Sequence, residues 1–253
     1  MRIIEFFNEY KLGDQIFHIH YCNKLIAVND LKIIFYCKKE YHDELTLWIN
    51  DKNKIILEDL NKKPKRSINC WLNSMKHFDN RGIYDFFYDK IYLAFYRDLS
   101  KKIGNIINPI GTPEEFLFDE KQIIENKNIL GEYDYLIINS RPNSYQWNYD
   151  EKDFDLLFAK LINKGYKIIT TAKNNFKLDC TLDFNFSLLD IASLSLECKN
   201  IIGIHTAPHV PTMNKWNIEN NKRMVFFHNV GIDYSFHNIE SIKNKIDIEK
   251  IEL

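Results

Sequence analysis

The chain has 253 residues, 45% of them hydrophobic, enough for one large α/β domain or two of ordinary size with a packed core. Its formal net charge of -1 excludes a general electrostatic bias toward nucleic acid, so no nucleic-acid partner is expected. No apolar run is long enough to span a bilayer. The five cysteines, Cys22, Cys37, Cys70, Cys180 and Cys198, are scattered without CxxC or metal-ligand spacing. Together with an N-terminus that lacks an apolar h-region, this predicts reduced thiols and a cytoplasmic location.

In chain order, Arg2 to Phe7 reads as a short apolar strand, and Asn8 to Asp14 as a polar loop with one glycine. Gln15 to Val28 has helical periodicity, with Ile16, Ile19, Leu25 and Ile26 among its apolar positions, and Asp14 stands at its expected N-cap. Leu31 to Cys37 is a second strand, which completes a βαβ unit and predicts a parallel sheet. A helix over Glu40 to Trp48 and a strand over Lys54 to Leu57 follow. Lys62 to Arg66 is a basic run, read as a solvated loop, with a contact to an anionic substrate as the alternative. Ile83 to Ile103 reads as a long aromatic-rich helix. Pro109 to Pro113 breaks the chain before the polar, acidic stretch Glu114 to Gly131. The domain boundary is expected here, with one domain over 1–120 and another over 121–253.

The second half repeats the α/β pattern. Tyr135 to Ile138 is a strand, followed by a loop from Asn139 to Trp147. A helix over Glu151 to Lys164 has Asp150 as N-cap and Gly165 as its stop. Tyr166 to Thr170 is a strand that runs into Thr171, Ala172 and Lys173. Ser187 caps a helix over Leu188 to Glu197, Arg223 to Phe227 is a late strand, and Ser235 caps a final helix through Ile239, Ile242 and Ile246. Between them lies the most informative stretch. Asn200 to Ile204 is a buried parallel strand, and His205, Thr206, Ala207, Pro208 and His209 follow it directly. Ligands of open α/β sheets sit beyond the carboxyl ends of their strands, and a small residue there allows close approach to the backbone.

Two successive α/β halves suggest a pair of Rossmann-like domains, and here the residues resemble a known family. Ile3 to Cys37, with Leu12-Gly13-Asp14 between strand and helix, looks like the N-terminal unit of heptosyltransferase-type (glycosyltransferase family 9-like) glycosyltransferases of the GT-B fold. Tyr135 to Pro208 looks like their C-terminal donor domain, through the order of its elements. These are a strand, a loop with a tryptophan, a helix ending Lys164-Gly165-Tyr166, a strand ending Thr170-Thr171-Ala172, a helix opening at Ser187, and the strand before the donor loop. The resemblance leaves Leu57 to Glu132 largely unmatched. In the donor loop this chain has His205 where the family has an acid and Ala207 where it has glycine, and His209 falls one place early.

The resemblance implies a transferase that moves a sugar from a nucleotide-activated donor to a glycan or lipid-linked acceptor, with peripheral contact to a membrane surface as a further expectation. Asp14 takes the family's place for the catalytic base that deprotonates the acceptor hydroxyl, with a plain N-cap as the alternative. Gly13 precedes it. On the donor side, Thr206, Ala207 and His209 offer a hydroxyl, backbone N–H groups and an imidazole, flanked by His205 and Pro208. Arg141, Thr171 and Lys173 follow other strand ends of the same sheet, where the two cations can neutralise a diphosphate. No Asp-x-Asp motif occurs in a suitable loop, so no metal and no cofactor beyond the nucleotide-sugar co-substrate is expected. Two other readings remain open: a catalytically silent module of the same fold that binds nucleotide or glycan, and another two-domain Rossmann-like enzyme such as a sugar-nucleotide epimerase.

Overall fold

The computed structural model describes residues 1–70, 86–87, 99, 102–104, 112–126, 131–142, 150–228, 232–233 and 236–243. The chain divides into two compact units, Met1–Ile83 with Tyr88–Gln122, and Tyr84–Phe87 with Ile123–Leu253.

In the first unit, β1 (Arg2–Phe7), β2 (Leu31–Cys37), β3 (Ile55–Asp59) and β4 (Ile68–Asn69) form a parallel sheet in the order β3-β2-β1-β4. Between β1 and β2 runs α1 (Leu12–Val28), which is buried on almost every side. Its buried polar groups therefore need partners. Gln15 donates to the Tyr10 carbonyl (3.0 Å). Asn23 donates to the Trp48 carbonyl (2.7 Å) and accepts from the Asn50 backbone (3.1 Å). Around its apolar positions, Phe17 stacks on Phe116 with ring centroids 4.9 Å apart, and Phe118 meets the edge of Trp48 at 5.5 Å. The unit is completed by α2 (His42–Leu47) and α3 (Pro113–Phe116), the latter held by a reciprocal Thr112–Glu115 cap. A short α4 (Lys121–Glu125) then crosses the division between the units.

The second unit opens with β5 (Phe86–Phe87). Its main part is β6 (Tyr133–Ile138), α5 (Asp155–Asn163), β7 (Ile168–Thr170), β8 (Asp179–Cys180), α6 (Leu188–Glu197), β9 (Cys198–Ile204), α7 (Lys215–Glu219), β10 (Arg223–His228), β11 (Ile232–Asp233) and β12 (Ile239–Lys243). Six strands form a parallel sheet in the order β12-β10-β9-β6-β7-β8, and β11 pairs with β5. Strand alternation puts Tyr135, Ile137, Ile202, Ile204, Val225 and Phe227 on one face, where they pack with Phe154, Leu157, Phe158 and Leu161 of the α5 region. Burying each such side chain contributes about 1.5–3 kcal/mol. Asp150–Asp153 and Ser187–Asp190 form reciprocal caps ahead of α5 and α6.

Three expectations change. The first helix begins at Leu12, three residues early, with Lys11 at its N-cap and the Gln15 N–H bonded to the Lys11 carbonyl (3.2 Å). Burial of Gly13 and Gln15 carries the helix through a glycine that reads as loop, so Asp14 is the third helical residue and not the cap. The expected C-terminal helix is a strand over Ile239–Lys243, paired with β10 from Met224↔Ile239 to His228↔Lys243. Here the hydrogen-bonding demand of the β10 edge overrides the helical spacing of isoleucines. Phe86–Phe87, expected inside the long aromatic helix, form a strand. Of that helix, residues 99 and 102–103 are helical, and the rest lies outside the described residues. So do residues 143–147 of the loop to Trp147, the break at 109–111, Ser235 and Ile246.

Candidate functional site

The four-stranded and the six-stranded sheet each contain one reversal of strand order. In the second unit the chain moves outward from β6 to β7 and β8, then returns to the other side of β6 with β9 and continues to β10 and β12. In the first unit it moves from β1 to β2 and β3, then returns to the other side of β1 with β4. At such reversals the loops from adjacent strands diverge and leave a crevice at the carboxyl ends. The loops concerned are those after β6 and β9 in one unit, and after β1 and β4 in the other.

The β6 loop begins with Asn139, which is buried. Its backbone N–H donates to Thr171 Oγ1 (3.1 Å), and its Oδ1 accepts from the N–H groups of Thr171 (3.1 Å) and Ala172 (2.9 Å). Its Nδ2 donates to the Ala172 carbonyl (3.2 Å). Ser140 Oγ lies 2.8 Å from Thr171 Oγ1. The Thr171 hydroxyl thus ties the loops after β6 and β7 together. Arg141 follows and is exposed. Lys173 is also exposed and forms an ion pair with Asp183.

The β9 loop is brought against β6 by Gly203, which pairs with Ile138. A Cβ at Gly203 would stand 2.4 Å from the Ile138 carbonyl oxygen, so only glycine permits this approach. After Ile204 the chain turns into a short 3-10 helix over Ala207–Thr212, with Pro208 in its first turn and the His209 N–H bonded to the Thr206 carbonyl (2.9 Å). Thr206, Ala207 and Pro208 are partly exposed. Thr206 Oγ1 caps no backbone group and has no hydrogen-bond partner among the described residues. His205 is 7% exposed, and its ring lies 4.2 Å from that of His209. His209 is fully buried and meets the edge of Phe226 at 4.0 Å, so its imidazole belongs to the packed face of β10. Below the loop, Asn217 Nδ2 donates to Ser195 Oγ (2.7 Å) and to the Thr212 carbonyl (3.0 Å), which anchors the 3-10 helix on α6.

In the first unit, Asp14 is half-buried in the opening turn of α1, where the helix dipole favours an anion. The loop before it is held by Asn8, whose Oδ1 accepts from the Tyr10 N–H (2.8 Å) and whose Nδ2 lies 2.9 Å from His18 Nδ1. Burial holds His18 well below the usual imidazole range, at about 4, partly offset by hydrogen bonds to the backbone of Asp14 and Cys70. His18 is therefore neutral near pH 7 and serves as packing and loop support.

His20, Asp119 and Glu120 gather in the same unit with ligand atoms within 4.8 Å of one another. His20 Nδ1 lies 2.6 Å from Glu120 Oε1, Asn23 donates to the same oxygen (3.2 Å), and Lys24 pairs with Asp119, while the buried His20 Nε2 has no hydrogen-bond partner among the described residues. These bonds tie α1 to the segment just ahead of α4. The described cysteines are all buried free thiols. Desolvation raises those of Cys22, Cys37, Cys70 and Cys198 far above the range of a nucleophile. A cavity of about 440 Å³ is lined by Arg2, Glu5, Ile34, Arg66, Ile68 and Lys102, among others, and none of the expected site residues lines it. Asn139 and Gly203 are the residues that sequence reasoning missed. The available signals were a polar side chain directly after an apolar strand and a glycine inside one.

No protein-family model and no curated protein matches the sequence. Among solved structures, the chain is similar to the E. coli heptosyltransferase WaaC with ADP, at a TM-score of 0.60 and 11% identity over 98% of this chain and 93% of that one. It is similar to the glycosyl transferase family 9 protein from Veillonella parvula DSM 2008, at a TM-score of 0.56 and 12% identity over 96% and 86%. It is also similar to the iron-containing dodecameric glycosyltransferase TibC from enterotoxigenic E. coli H10407, at a TM-score of 0.51 and 11% identity over 94% and 61%. What this chain shares with them is the fold: two units of parallel sheet flanked by helices, the GT-B architecture of heptosyltransferases and related glycosyltransferases.

Proposed function

We propose that the chain is a glycosyltransferase that takes its sugar from a nucleotide-activated donor and holds the donor's diphosphate at the carboxyl edge of the six-stranded sheet. The observation that carries this reading is the strand-order reversal between β6 and β9. The loops beginning there bring an exposed guanidinium at Arg141 and a buried hydroxyl at Thr206 whose oxygen has no partner among the described residues. Arg141 neutralises the charge that builds on the departing nucleoside diphosphate, and Thr206 with the small Ala207 admits phosphate oxygens to the loop. The Arg141 guanidinium suits a phosphate better than a point charge does, because its donors form a planar fork.

In the first unit, 1–120 in this reading, Asp14 receives the proton of an acceptor hydroxyl as that oxygen attacks the anomeric carbon. One displacement with nucleoside diphosphate as leaving group inverts the anomeric configuration and needs no metal. The second domain, 121–253, is the donor domain. The acceptor is a glycan or a lipid-linked acceptor, and the reaction belongs to the cytoplasm, where five cysteines without a disulfide framework fit a reducing compartment. No helix among the described residues is long and apolar enough to cross a membrane.

The test is a melting-temperature screen against ADP, GDP, UDP and CDP and their sugar conjugates, followed by turnover of any conjugate that stabilises the fold. A ligand bound only by the native state raises the melting temperature, by about 2.7 kcal/mol of stability at a hundredfold excess over Kd. Stabilisation by one nucleotide series and release of its diphosphate support the proposal. Binding without turnover moves the conclusion to a silent nucleotide-binding module, and no stabilisation by any series contradicts both.

A further inference from the structure

We infer that Asn139 is a positioning residue for the donor site: its buried carboxamide fixes the loop that carries Arg141. This rests on the reading of Arg141 as the diphosphate contact. The β6–β7 ladder ends with Ile137 paired to Thr170, and the Thr171 N–H still reaches the Ile137 carbonyl (3.0 Å). Beyond that point the two chains would separate. Asn139 continues the ladder with its side chain, since Oδ1 takes two successive backbone N–H groups and Nδ2 returns a bond to the Ala172 carbonyl. The Asn139 backbone N–H closes the ring on Thr171 Oγ1, and Ser140 Oγ adds a contact to the same hydroxyl. The two bonds between Asn139 and Thr171 are buried, and the other three are part-buried, which raises the cost of breaking the Asn139–Thr171 pair most.

The residue type is specific. Aspartate keeps the two acceptor bonds but loses the donor to Ala172, and sets a carboxylate oxygen against that carbonyl. Alanine loses the three side-chain bonds described above. Valine at position 171 removes the hydroxyl that receives the Asn139 N–H while keeping the side-chain shape. Arg141 stands two residues beyond this latch, so a loop released at Asn139 delivers its guanidinium over a range of positions instead of one. Diphosphate affinity should therefore depend on Asn139 through Arg141.

The experiment is a double-mutant cycle read by calorimetry, using whichever of ADP, GDP, UDP and CDP the wild type binds most tightly. The proteins are wild type, Asn139→Ala, Arg141→Ala and the double variant, each with its melting temperature. Asn139→Ala is expected to weaken binding about tenfold in the wild-type background and less than about twofold when Arg141 is already alanine. Should Asn139→Ala not fold, Asn139→Asp and Thr171→Val enter the same cycle, with smaller losses of the same pattern. An equal fold-loss in both backgrounds, or unchanged affinity in a folded Asn139 variant of lower melting temperature, overturns the inference. Unchanged affinity in Arg141→Ala instead overturns the reading of Arg141, and a wild type that binds none of the four diphosphates overturns both.

Discussion

The two sheets share one topological device and use it differently. Both reverse strand order beside their first strand, at β1–β4 and at β6–β9. At the first reversal, the groups around the loop are mostly buried and neutral: Asn8, Gln15 and a deprotonated His18 support the turn into a seventeen-residue helix, and a half-buried carboxylate, Asp14, opens it. At the second, the β6 loop is fastened to the neighbouring β7 loop by the Asn139–Thr171 latch and carries an exposed cation, Arg141. In the proposed reading the first reversal holds a proton acceptor in place and the second meets an anion. The two reversals therefore differ through the residues that follow the strands, not through the sheets themselves.

The comparison breaks first at Asp14. If Asp14 is the proposed general base, Asp14→Asn is expected to lower sugar transfer by roughly 10²–10⁴-fold while nucleotide affinity stays within about twofold. As the third helical residue and not the cap, asparagine should cost only about 0.3–1 kcal/mol of stability. Turnover per folded molecule, beside calorimetry, decides it: a loss of affinity equal to the loss of turnover would remove Asp14 from the base role.

The pH dependence of stability sharpens the contrast next. His18 has a folded pKa of about 4 against a usual 6.5, so the unfolded chain binds the proton more readily between those values. Its contribution is fully present above about pH 6.5 and is lost as pH falls toward 4, by about 3 kcal/mol in all. Urea midpoints at pH 7 and pH 4.5 should therefore fall further for wild type than for His18→Gln. Parallel losses would show that His18 does not titrate with unfolding.

On the donor side, Arg141→Ala should weaken diphosphate binding by about 1.5–3 kcal/mol, the range of a charge-assisted hydrogen bond. Lys63→Ala should leave it unchanged, because Lys63 lies over the Phe7 ring in the other unit, 4.3 Å from its centroid. Calorimetry on the two variants side by side checks this, and equal losses would remove the distinction. The smallest effect belongs to Lys173. Its ion pair with Asp183 joins side chains 66% and 46% exposed, so Lys173→Ala should shift stability by no more than about 1 kcal/mol in a chemical denaturation curve.

Much of this architecture is legible in the sequence where one signal is unopposed. Arg2 to Phe7, Leu31 to Cys37 and the Ser187-capped helix are found at their expected limits because apolar runs and a capping box agree there. Where two signals compete, packing decides. Gly13 reads as loop, yet the helix runs through it because Gln15 and its neighbours are buried. Ile239 and Ile242 have helical spacing, yet they complete a sheet edge. The candidate site is legible only in part. His205 to His209 stand after a strand as expected, but which imidazole is packed depends on Phe226, a residue on a different strand. Asn139 escapes a sequence reading because its partners, Thr171 and Ala172, lie 32 and 33 positions away. Thr171 has its place in the loop, as support for the β6 turn.

The central claim is that a nucleoside diphosphate is held by the loops after β6 and β9. Amide hydrogen exchange of the wild type, with and without a saturating amount of the diphosphate that stabilises it, tests this most directly. The account predicts slowed exchange concentrated at Ile138 to Arg141 and Ile204 to His209, with little change along Asn8 to Asp14. Slowing confined to the first unit, with both of these loops exchanging as in the free protein, would contradict it.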